Sequence, residues 1–265
     1  MKKFKLTKGD TSGLKRGIYI LPSLFTTGNV FCGFYALVAV ANENYYYAAW
    51  ALILAIVFDG LDGRVARLTK TTSAFGVQYD SLADVISFGM APAMLAYAWV
   101  LKPFGRLGWM AAFLFLLCGA LRLARFNVTK SDVSDNQFTG LPIPAAAAVI
   151  ASIVIAFEDL FASRLEPVIM VAVVFVLAFL MVSNIPYPAF KNLEFKKRVV
   201  FTRFLFVILF LYVAATIPRV AIFLLSLTYT LSGPFKLLAS FFKTKGSPHP
   251  SAETSKINTR PTGRK

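Results

Sequence analysis

The stretch FDGLDGRVARLTKTTSAFGVQYDSLADVISFG, residues 58–89, contains four of the eight aspartates in the chain: Asp59, Asp62, Asp80 and Asp84. Apolar runs precede and follow it, at residues 45–58 and 85–100, and each is of the kind that forms membrane helices. A carboxylate at the centre of a membrane helix costs at least about 2.5 to 3.5 kcal/mol. The stretch therefore predicts a buried acidic site whose interactions offset that cost.

The composition of the whole chain is that of a membrane protein. Of 265 residues, 57% are hydrophobic and 15% are charged, and the mean hydropathy is +0.64. A soluble core cannot cover so much apolar surface, so we expect an all-α polytopic membrane helical bundle. About eight transmembrane helices are predicted, at Ile18 to Ala41, Tyr45 to Leu68, Leu82 to Leu101, Gly108 to Phe126, Leu141 to Phe157, Pro167 to Ser183, Val199 to Thr216 and Pro218 to Phe235.

The basic residues predict how this bundle is oriented. If both termini are cytoplasmic, 24 of the 28 Lys and Arg residues fall on the cytoplasmic side, and the exceptions are Lys102, Arg106, Arg164 and Arg219. This split follows the positive-inside rule and places the acidic stretch at the cytoplasmic face. We expect a basic cytoplasmic arm over residues 1–16, one membrane domain over 17–242 and a basic, disordered cytoplasmic tail over 243–265.

Cysteine and histidine are too few to carry the chemistry. Cys32 and Cys118 lie within apolar segments, without a partner at metal-binding or redox spacing, and we interpret them as small buried hydrophobic residues. The single histidine, His249, lies in the polar tail. A thiolate metal site, a His-ligated zinc and a Ser-His pair are therefore disfavoured.

Helical spacing brings the acids of the opening stretch together. Asp59 and Asp62 share one helix face with the small residues Gly63 and Ala66, and Asp80 and Asp84 share a face at i and i+4. The Thr- and Ser-rich linker between the two pairs favours a reversal of direction. Two adjacent antiparallel helices then collect four carboxylates in a partly dry cleft.

Such a cluster requires cations, because four buried negative charges repel one another. Salt bridges alone are an unsatisfactory alternative, since they need several basic partners within reach and Arg64 and Arg67 are only two. Hard oxygen ligands favour Mg²⁺, Mn²⁺ or Ca²⁺. Two such ions suit phosphoryl transfer, with a remaining carboxylate as general base. A cation transporter that uses the same buried acids is the alternative of another class.

The spacing of these residues resembles the signature of the CDP-alcohol phosphatidyltransferase family. The matching pattern is Asp59-x-x-Asp62-Gly63-x-x-Ala66-Arg67 followed by Gly76-x-x-x-Asp80-x-x-x-Asp84. The resemblance implies an enzyme that transfers a phosphatidyl group from a CDP-linked lipid to an alcohol and releases CMP. It also implies that Asp59, Asp62 and Asp80 hold divalent metal ions and that Asp84 completes the cluster and acts as the base. Gly63, Ala66, Arg67 and Gly76 would contact the cytidine diphosphate.

Several segments outside the signature resemble the branch of this family that uses serine as the acceptor. They are LPSLFTTGNVFCGF (21–34), SLADVISFGMAPA (81–93), LRLARFNV (121–128), TGLPIPAAA (139–147) and SNIPYPAFK (183–191). The implied activity is transfer of phosphatidyl from CDP-diacylglycerol to L-serine, in phospholipid biosynthesis. The same chemistry with glycerol 3-phosphate or an inositol derivative as acceptor remains the alternative.

Polar residues near the level of the acids are candidate substrate contacts. Thr26 and Asn29, on the first helix, are expected to contact nucleotide or a neighbouring backbone. Arg122 and Arg125 are interpreted either as a clamp for the serine carboxylate or a lipid phosphate, or as snorkelling arginines at a helix end. Asn127 is a weaker candidate of the same kind.

The expected ligands and partners follow from this interpretation. They are two Mg²⁺ or Mn²⁺ ions, with Ca²⁺ as a non-productive occupant, together with CDP-diacylglycerol, L-serine and membrane lipids. No nucleic acid is expected, and the family resemblance suggests a homodimer. The expected location is a bacterial or archaeal cell membrane, with the active site facing the cytoplasm.

Overall fold

The computed structural model describes residues 11–69, 73–129, 137–161, 164–188 and 216–244. These residues are predominantly helical, as expected. The α-helices are α1 (Thr11–Ala41), α2 (Tyr45–Thr69), α3 (Ala74–Asp84), α4 (Ala91–Ala96), α5 (Arg106–Thr129), α6 (Ile143–Ala156), α7 (Pro167–Val182) and α8 (Pro218–Thr244). Residues 1–10 of the basic arm, residues 199–215 of the seventh predicted helix and residues 245–265 of the basic tail lie outside the described residues.

The acidic stretch spans two neighbouring helices, as its spacing predicts. α2 carries the first pair of aspartates, and α3 begins after Ser73, whose Oγ accepts a hydrogen bond from Gly76 N at 2.9 Å. This N-cap satisfies a backbone donor that the first turn otherwise leaves without a partner. The helix therefore starts eight residues before the predicted boundary at Leu82 and includes Asp80.

From Ala74 to Phe104 the chain forms one continuous helix with changes of pitch. π-helical turns cover Val85–Met90 and Tyr97–Leu101, on either side of α4, and a 3₁₀ turn ends it at Lys102–Phe104. The first π-helical turn begins directly after Asp84, and Ser87, Phe88 and Gly89 within it are buried. A π turn changes which residues share a face, and such turns are frequent at functional sites.

The interior of the bundle is built around α6. Its buried residues run almost without interruption from Ile143 to Ala156. α6 packs against α2 and α8, and α1 packs along α2. A helix that is apolar on all sides belongs in the centre of a bundle, where other helices cover it.

A short β-ribbon departs from the all-α expectation. β1 (Gln137–Thr139) and β2 (Pro186–Pro188) pair antiparallel, with Phe138 opposite Tyr187. Pro186 and Pro188 flank Tyr187 and disfavour a helix there. The segment after α7 instead forms β2, which pairs with β1 in the connection between α5 and α6. The ribbon changes the expected fold only locally, but it holds Tyr187 against α8.

Within the described residues, four helical segments are long and apolar enough to cross a membrane: Pro22–Ala41, Ala74–Phe104, Arg106–Val128 and Pro218–Leu237. α7 is a shorter apolar helix. Large apolar side chains lie exposed along these helices, among them Phe31, Phe113 and Phe179. An apolar outer surface on apolar helices is the arrangement that a lipid bilayer requires.

Close contact between α1 and the first π-helical turn depends on Gly33. A Cβ atom at this position would lie 2.7 Å from the backbone Cα of Ser87 and still closer to its Oγ. Gly33→Ala is therefore expected to destabilise the fold by about 1 to 3 kcal/mol, because backbone must move to admit the methyl group. A lower apparent melting temperature of the purified protein in detergent is the measurement.

Gly60→Ala is the matched control for Gly33→Ala. Gly60 is exposed on α2, and an added Cβ would meet no atom within 4 Å. Alanine is favoured over glycine within a helix by roughly 0.5 to 1 kcal/mol, so this variant should melt at the same temperature or higher. Equal melting temperatures for both variants would contradict the tight α1 contact.

Candidate active site

Three of the predicted acids converge between α2 and α3. One carboxylate oxygen each from Asp59, Asp62 and Asp80 lie within 4.8 Å of one another. Asp62 is 6% exposed, while Asp59 and Asp80 are partly buried. Because like charges at this separation repel strongly, the cluster is built to receive positive charge.

Asp84 lies next to this group but is not a member of it. Its side chain is 8% exposed and comes within hydrogen-bonding range of Asp59. The other oxygen, Oδ1, is buried and has no hydrogen-bond partner among the described residues. The structure thus groups three carboxylates and places the buried carboxylate of Asp84 beside them.

A hydroxyl group on α1 holds one carboxylate of the cluster in place. Thr26 Oγ1 lies 3.0 Å from Asp62 Oδ2, to which it donates, and 3.1 Å from the carbonyl of Pro22. At the next residue, the hydroxyl groups of Thr27 and Tyr79 lie 3.0 Å apart and join α1 to α3. Thr26 was predicted to contact nucleotide or a neighbouring backbone, and the structure places it beside an acid, where its hydroxyl fixes the direction of that carboxylate.

Asn29 lies one turn deeper on the same helix. It is completely buried, and neither its Oδ1 nor its Nδ2 atom has a hydrogen-bond partner among the described residues. Its backbone carbonyl accepts a hydrogen bond of 2.9 Å from Ser87 Oγ. A buried amide without hydrogen-bond partners costs free energy of folding. A polar group bound next to Asn29 would supply the missing partners.

The donor set fits a hard divalent cation. The three clustered side chains offer carboxylate oxygens alone, which suit Mg²⁺, Mn²⁺ or Ca²⁺ rather than zinc. Thr26 holds one of these ligands in place, and partners of this kind support metal sites. The residues of the cluster are therefore suited to the metal that the sequence predicts.

The small residues of the signature lie on the same two helices as the acids. Gly63 and Ala66 follow Asp62 on α2, and both are partly buried. Gly76 lies in the first turn of α3, where a Cβ atom would come 3.2 Å from Ser73 Oγ. The side chain of Arg67 lies outside the described part of the structure.

The two candidate clamp arginines on α5 have different surroundings. Arg122 is 7% exposed and interacts electrostatically with Asp84 and Tyr229, and its Nε has no hydrogen-bond partner among the described residues. Arg125 instead donates to backbone carbonyl groups of Thr139, Val182 and Ser183 and to Asn184 Oδ1. Arg122 therefore faces the acids, and Arg125 joins α5 to the end of α7.

Asn127 contributes to the position of α3. Its Nδ2 donates to Ser81 Oγ at 2.9 Å, and Ser81 follows Asp80 directly. Ser81 Oγ in turn donates to the carbonyl of Val77 at 3.0 Å. The structure thus gives Asn127 a link between α5 and α3.

Sequence reasoning missed the aromatic and hydroxyl residues that support this site. Tyr79, Ser81 and Tyr229 were not among the candidates. Ser81 accepts a hydrogen bond from the candidate Asn127, Tyr79 shares one with Thr27, and Tyr229 lies within electrostatic range of Arg122. Tyr79 and Ser81 lie inside the acidic stretch, so their proximity to Asp80 was a usable signal. Tyr229 carries no such signal, because it comes from a helix far along the chain.

The structure combines apolar helices, a cluster of carboxylates that suits a divalent metal, and a buried arginine near these acids. This combination is typical of a phosphoryl-transfer enzyme in a membrane. Residues 19–182 match the family described as CDP-alcohol phosphatidyltransferase. Because the match covers more than half of the chain, the chain belongs to the CDP-alcohol phosphatidyltransferase family.

Individual relatives agree with this assignment. The chain is 37% identical over 222 residues to a CDP-diacylglycerol--serine O-phosphatidyltransferase of Helicobacter pylori, a match that covers 83% of this chain and 92% of the relative. It is 33% identical over 172 residues to the Bacillus subtilis protein of that name, covering 65% and 92% respectively. An archaetidylserine synthase of Methanothermobacter thermautotrophicus is 39% identical over 170 residues, covering 63% and 69%.

Proposed function

We propose that this protein is a metal-dependent CDP-diacylglycerol:serine phosphatidyltransferase, which forms phosphatidylserine and CMP. The observation that carries the proposal is the cluster of Asp59, Asp62 and Asp80 at signature spacing, with carboxylate oxygens within 4.8 Å of one another. The relatives named for serine transfer, which match most of the chain, support the choice of acceptor.

The three clustered aspartates would hold the metal, as two Mg²⁺ or Mn²⁺ ions. Bound there, divalent ions supply positive charge that stabilises the phosphate oxygens and the departing CMP. Thr26 keeps the Asp62 carboxylate pointed into the cleft. Gly63, Ala66 and Gly76 leave room along the cleft for the cytidine diphosphate, and Arg67 is assigned to the same contact by its place in the signature.

Asp84 is proposed as the general base. Its carboxylate accepts the proton of the serine hydroxyl while the serine oxygen forms a bond to the phosphatidyl phosphorus. The bond between that phosphorus and the CMP oxygen breaks, and CMP leaves. The position of Asp84 beside the cluster, with one buried oxygen lacking a partner among the described residues, supports a role in proton transfer.

Arg122 is proposed to bind the carboxylate of serine. A guanidinium offers a planar set of donors that matches a carboxylate, and Arg122 is buried within electrostatic range of Asp84. Asn29 is proposed as a polar contact for substrate deeper in the cleft. Arg125 and Asn127, whose side chains join helices, are assigned to positioning.

The proposed topology has about eight spans, with both termini and the active site at the cytoplasmic face of a bacterial or archaeal cell membrane. The split of basic residues supports this orientation. Lys102 and Arg164, assigned to the opposite face, line one open cavity of about 490 Å³ together with Glu43 and Glu166. We also propose that the membrane domain covers residues 17–242, that the basic segments on both sides of it are cytoplasmic, and that the protein is a homodimer.

The acceptor is tested by measuring CMP release from CDP-diacylglycerol. Purified protein in detergent with Mn²⁺ or Mg²⁺ is given serine, glycerol 3-phosphate or inositol phosphate in separate reactions. We expect CMP release with serine and a lipid product that contains the serine amine. Release above the no-acceptor background with another alcohol, and none with serine, would overturn the assignment of the acceptor.

A further inference from the structure

A cavity of about 490 Å³ lies at the opposite end of α2 from the clustered aspartates. Three connections contribute to its lining: the turn between α1 and α2, the 3₁₀ turn before α5 and the segment that leads into α7. Tyr45, the first residue of α2, is in this lining, and Asp59 lies 14 residues further along the helix. At 1.5 Å per residue, about 21 Å separates them along the helix axis, so the cavity is not part of the active site.

The cavity carries charged side chains of both signs. Lys102 and Arg164 supply positive charge, and Glu43 and Glu166 supply negative charge. Among the described residues, none of these four side chains forms an ion pair with another charged group. Opposite charges that share a cavity without pairing suit a ligand that carries both a phosphate and an ammonium group.

Two aromatic residues hold parts of the lining in place. Trp99 is completely buried, and its Nε1 donates to Glu158 at 2.7 Å. The guanidinium of Arg164 lies over the Tyr45 ring, with Cζ 5.3 Å from the ring centroid. This cation–π contact fixes one of the two cations at the cavity and leaves the N–H donors at the edge of the guanidinium for an anion.

The backbone at Glu43 is unusual for a residue with a side chain. The N–H groups of Glu43 and Asn44 bond to the carbonyl groups of Val40 and Ala39, at 3.0 and 2.8 Å, and close the end of α1 as a Schellman motif. Glu43 takes the left-handed position of this motif, with φ of 60°, where glycine is favoured. What glutamate adds to the turn is a carboxylate at the cavity.

The lining continues onto the apolar outer surface. Val100 and Leu165 contribute apolar atoms to the cavity, and Pro167, also in the lining, begins α7. Val168 and Ile169 follow on α7 and are exposed. An acyl chain that lies along this end of α7 would bring its headgroup to the charges.

We propose that this cavity binds the headgroup of a membrane aminophospholipid. Lys102 and Arg164 contact the phosphate, and Glu43 and Glu166 contact the ammonium group. The bound lipid joins three connections of the bundle and stabilises the folded protein by mass action. This inference goes beyond the proposed function and does not depend on it.

The test measures the apparent melting temperature of delipidated full-length protein in detergent as dihexanoyl-phosphatidylethanolamine is added to the micelles. We expect a saturable rise in melting temperature. Glycero-3-phosphoethanolamine, which has the same headgroup without acyl chains, should give no rise at the same concentrations. An equal rise with this soluble compound would overturn the assignment to a membrane lipid, and no rise with either would overturn the site.

Glu43→Gly separates binding from folding. Because the turn favours glycine, this variant should melt at the same temperature as wild type or higher before lipid is added. It should need about 10-fold more phosphatidylethanolamine for half of the rise, as for loss of a hydrogen bond to a charged group. Its response to dihexanoyl-phosphatidylglycerol, which lacks the ammonium group, should equal that of wild type.

Lys102→Gln tests the phosphate contact, and Lys236→Gln is its matched control. Lys102 lines the cavity, whereas Lys236 is exposed on α8 and does not. Lys102→Gln should weaken the response to phosphatidylethanolamine about 10-fold, and Lys236→Gln should leave it unchanged. Wild-type responses in both Glu43→Gly and Lys102→Gln would overturn the inference, because the lipid would then act elsewhere on the protein.

Discussion

Asp84→Asn is expected to lower serine-dependent CMP release by about 10²- to 10⁴-fold, the range that general base catalysis contributes. Asparagine has nearly the same shape as aspartate but does not accept the proton of the serine hydroxyl. Because Asp59, Asp62 and Asp80 keep their carboxylates in this variant, the binding of CDP-diacylglycerol should persist. Steady-state CMP release and equilibrium binding of the nucleotide, each with Mn²⁺ present, are the two measurements.

Asp159→Asn is the matched control for Asp84→Asn. Asp159 is paired with Arg219 and follows α6, outside the cluster and its contacts. A partly exposed ion pair of this kind contributes at most about 1 kcal/mol, so the variant should retain activity. Asp84→Asn protein with more than a tenth of wild-type activity would remove Asp84 as the base.

The helical part of the fold was largely predictable from the sequence, because long apolar segments and their polar boundaries mark helices directly. The predicted starts at Tyr45 and Pro167 agree with α2 and α7. The boundary of α3 was placed too late, because residues that form its cap and first turn also suit a linker. The π-helical turns and the β-ribbon depend on packing between distant segments, which periodicity does not encode.

The acidic site was predictable for a local reason. Positions i, i+3 and i+4 share a helix face whatever surrounds them, so the pairs on α2 and α3 follow from spacing. Their convergence within 4.8 Å confirms the prediction that the two helices bring these acids together, for Asp59, Asp62 and Asp80. The separate placement of Asp84 required the tertiary structure.

The different surroundings of Arg122 and Arg125 could not be predicted. Both are arginines, they lie one turn apart and they are near the same helix end. Sequence pattern and charge therefore predict the same role for both. Their surroundings differ: Arg125 donates to carbonyl groups at the end of α7, whereas Arg122 is buried within electrostatic range of Asp84. These groups lie in distant parts of the sequence, and the carbonyl groups at the end of α7 become neighbours of Arg125 through packing of α5 against α7.

Asp62→Asn is expected to lower activity by about 10³-fold or more, because the metal contributes several kcal/mol to stabilisation of the reacting phosphate. Asp62 is the most buried member of the cluster, so little water can replace the lost oxygen charge. Thr26→Val keeps the carboxylate and removes the hydroxyl that donates to it. Loss of such a supporting contact costs about 10- to 100-fold in metal affinity, a smaller effect.

The dependence of CMP release on Mn²⁺ concentration distinguishes these two variants. Thr26→Val should shift the curve to higher Mn²⁺ and regain most activity at saturation, since all three ligands remain. Asp62→Asn should stay low at every Mn²⁺ concentration, because an amide oxygen lacks the charge of the carboxylate. Thr26→Ser, which keeps the donor, should follow the wild-type curve. Wild-type Mn²⁺ dependence in Asp62→Asn would show that the cluster does not hold the metal, since its most buried ligand would then be dispensable.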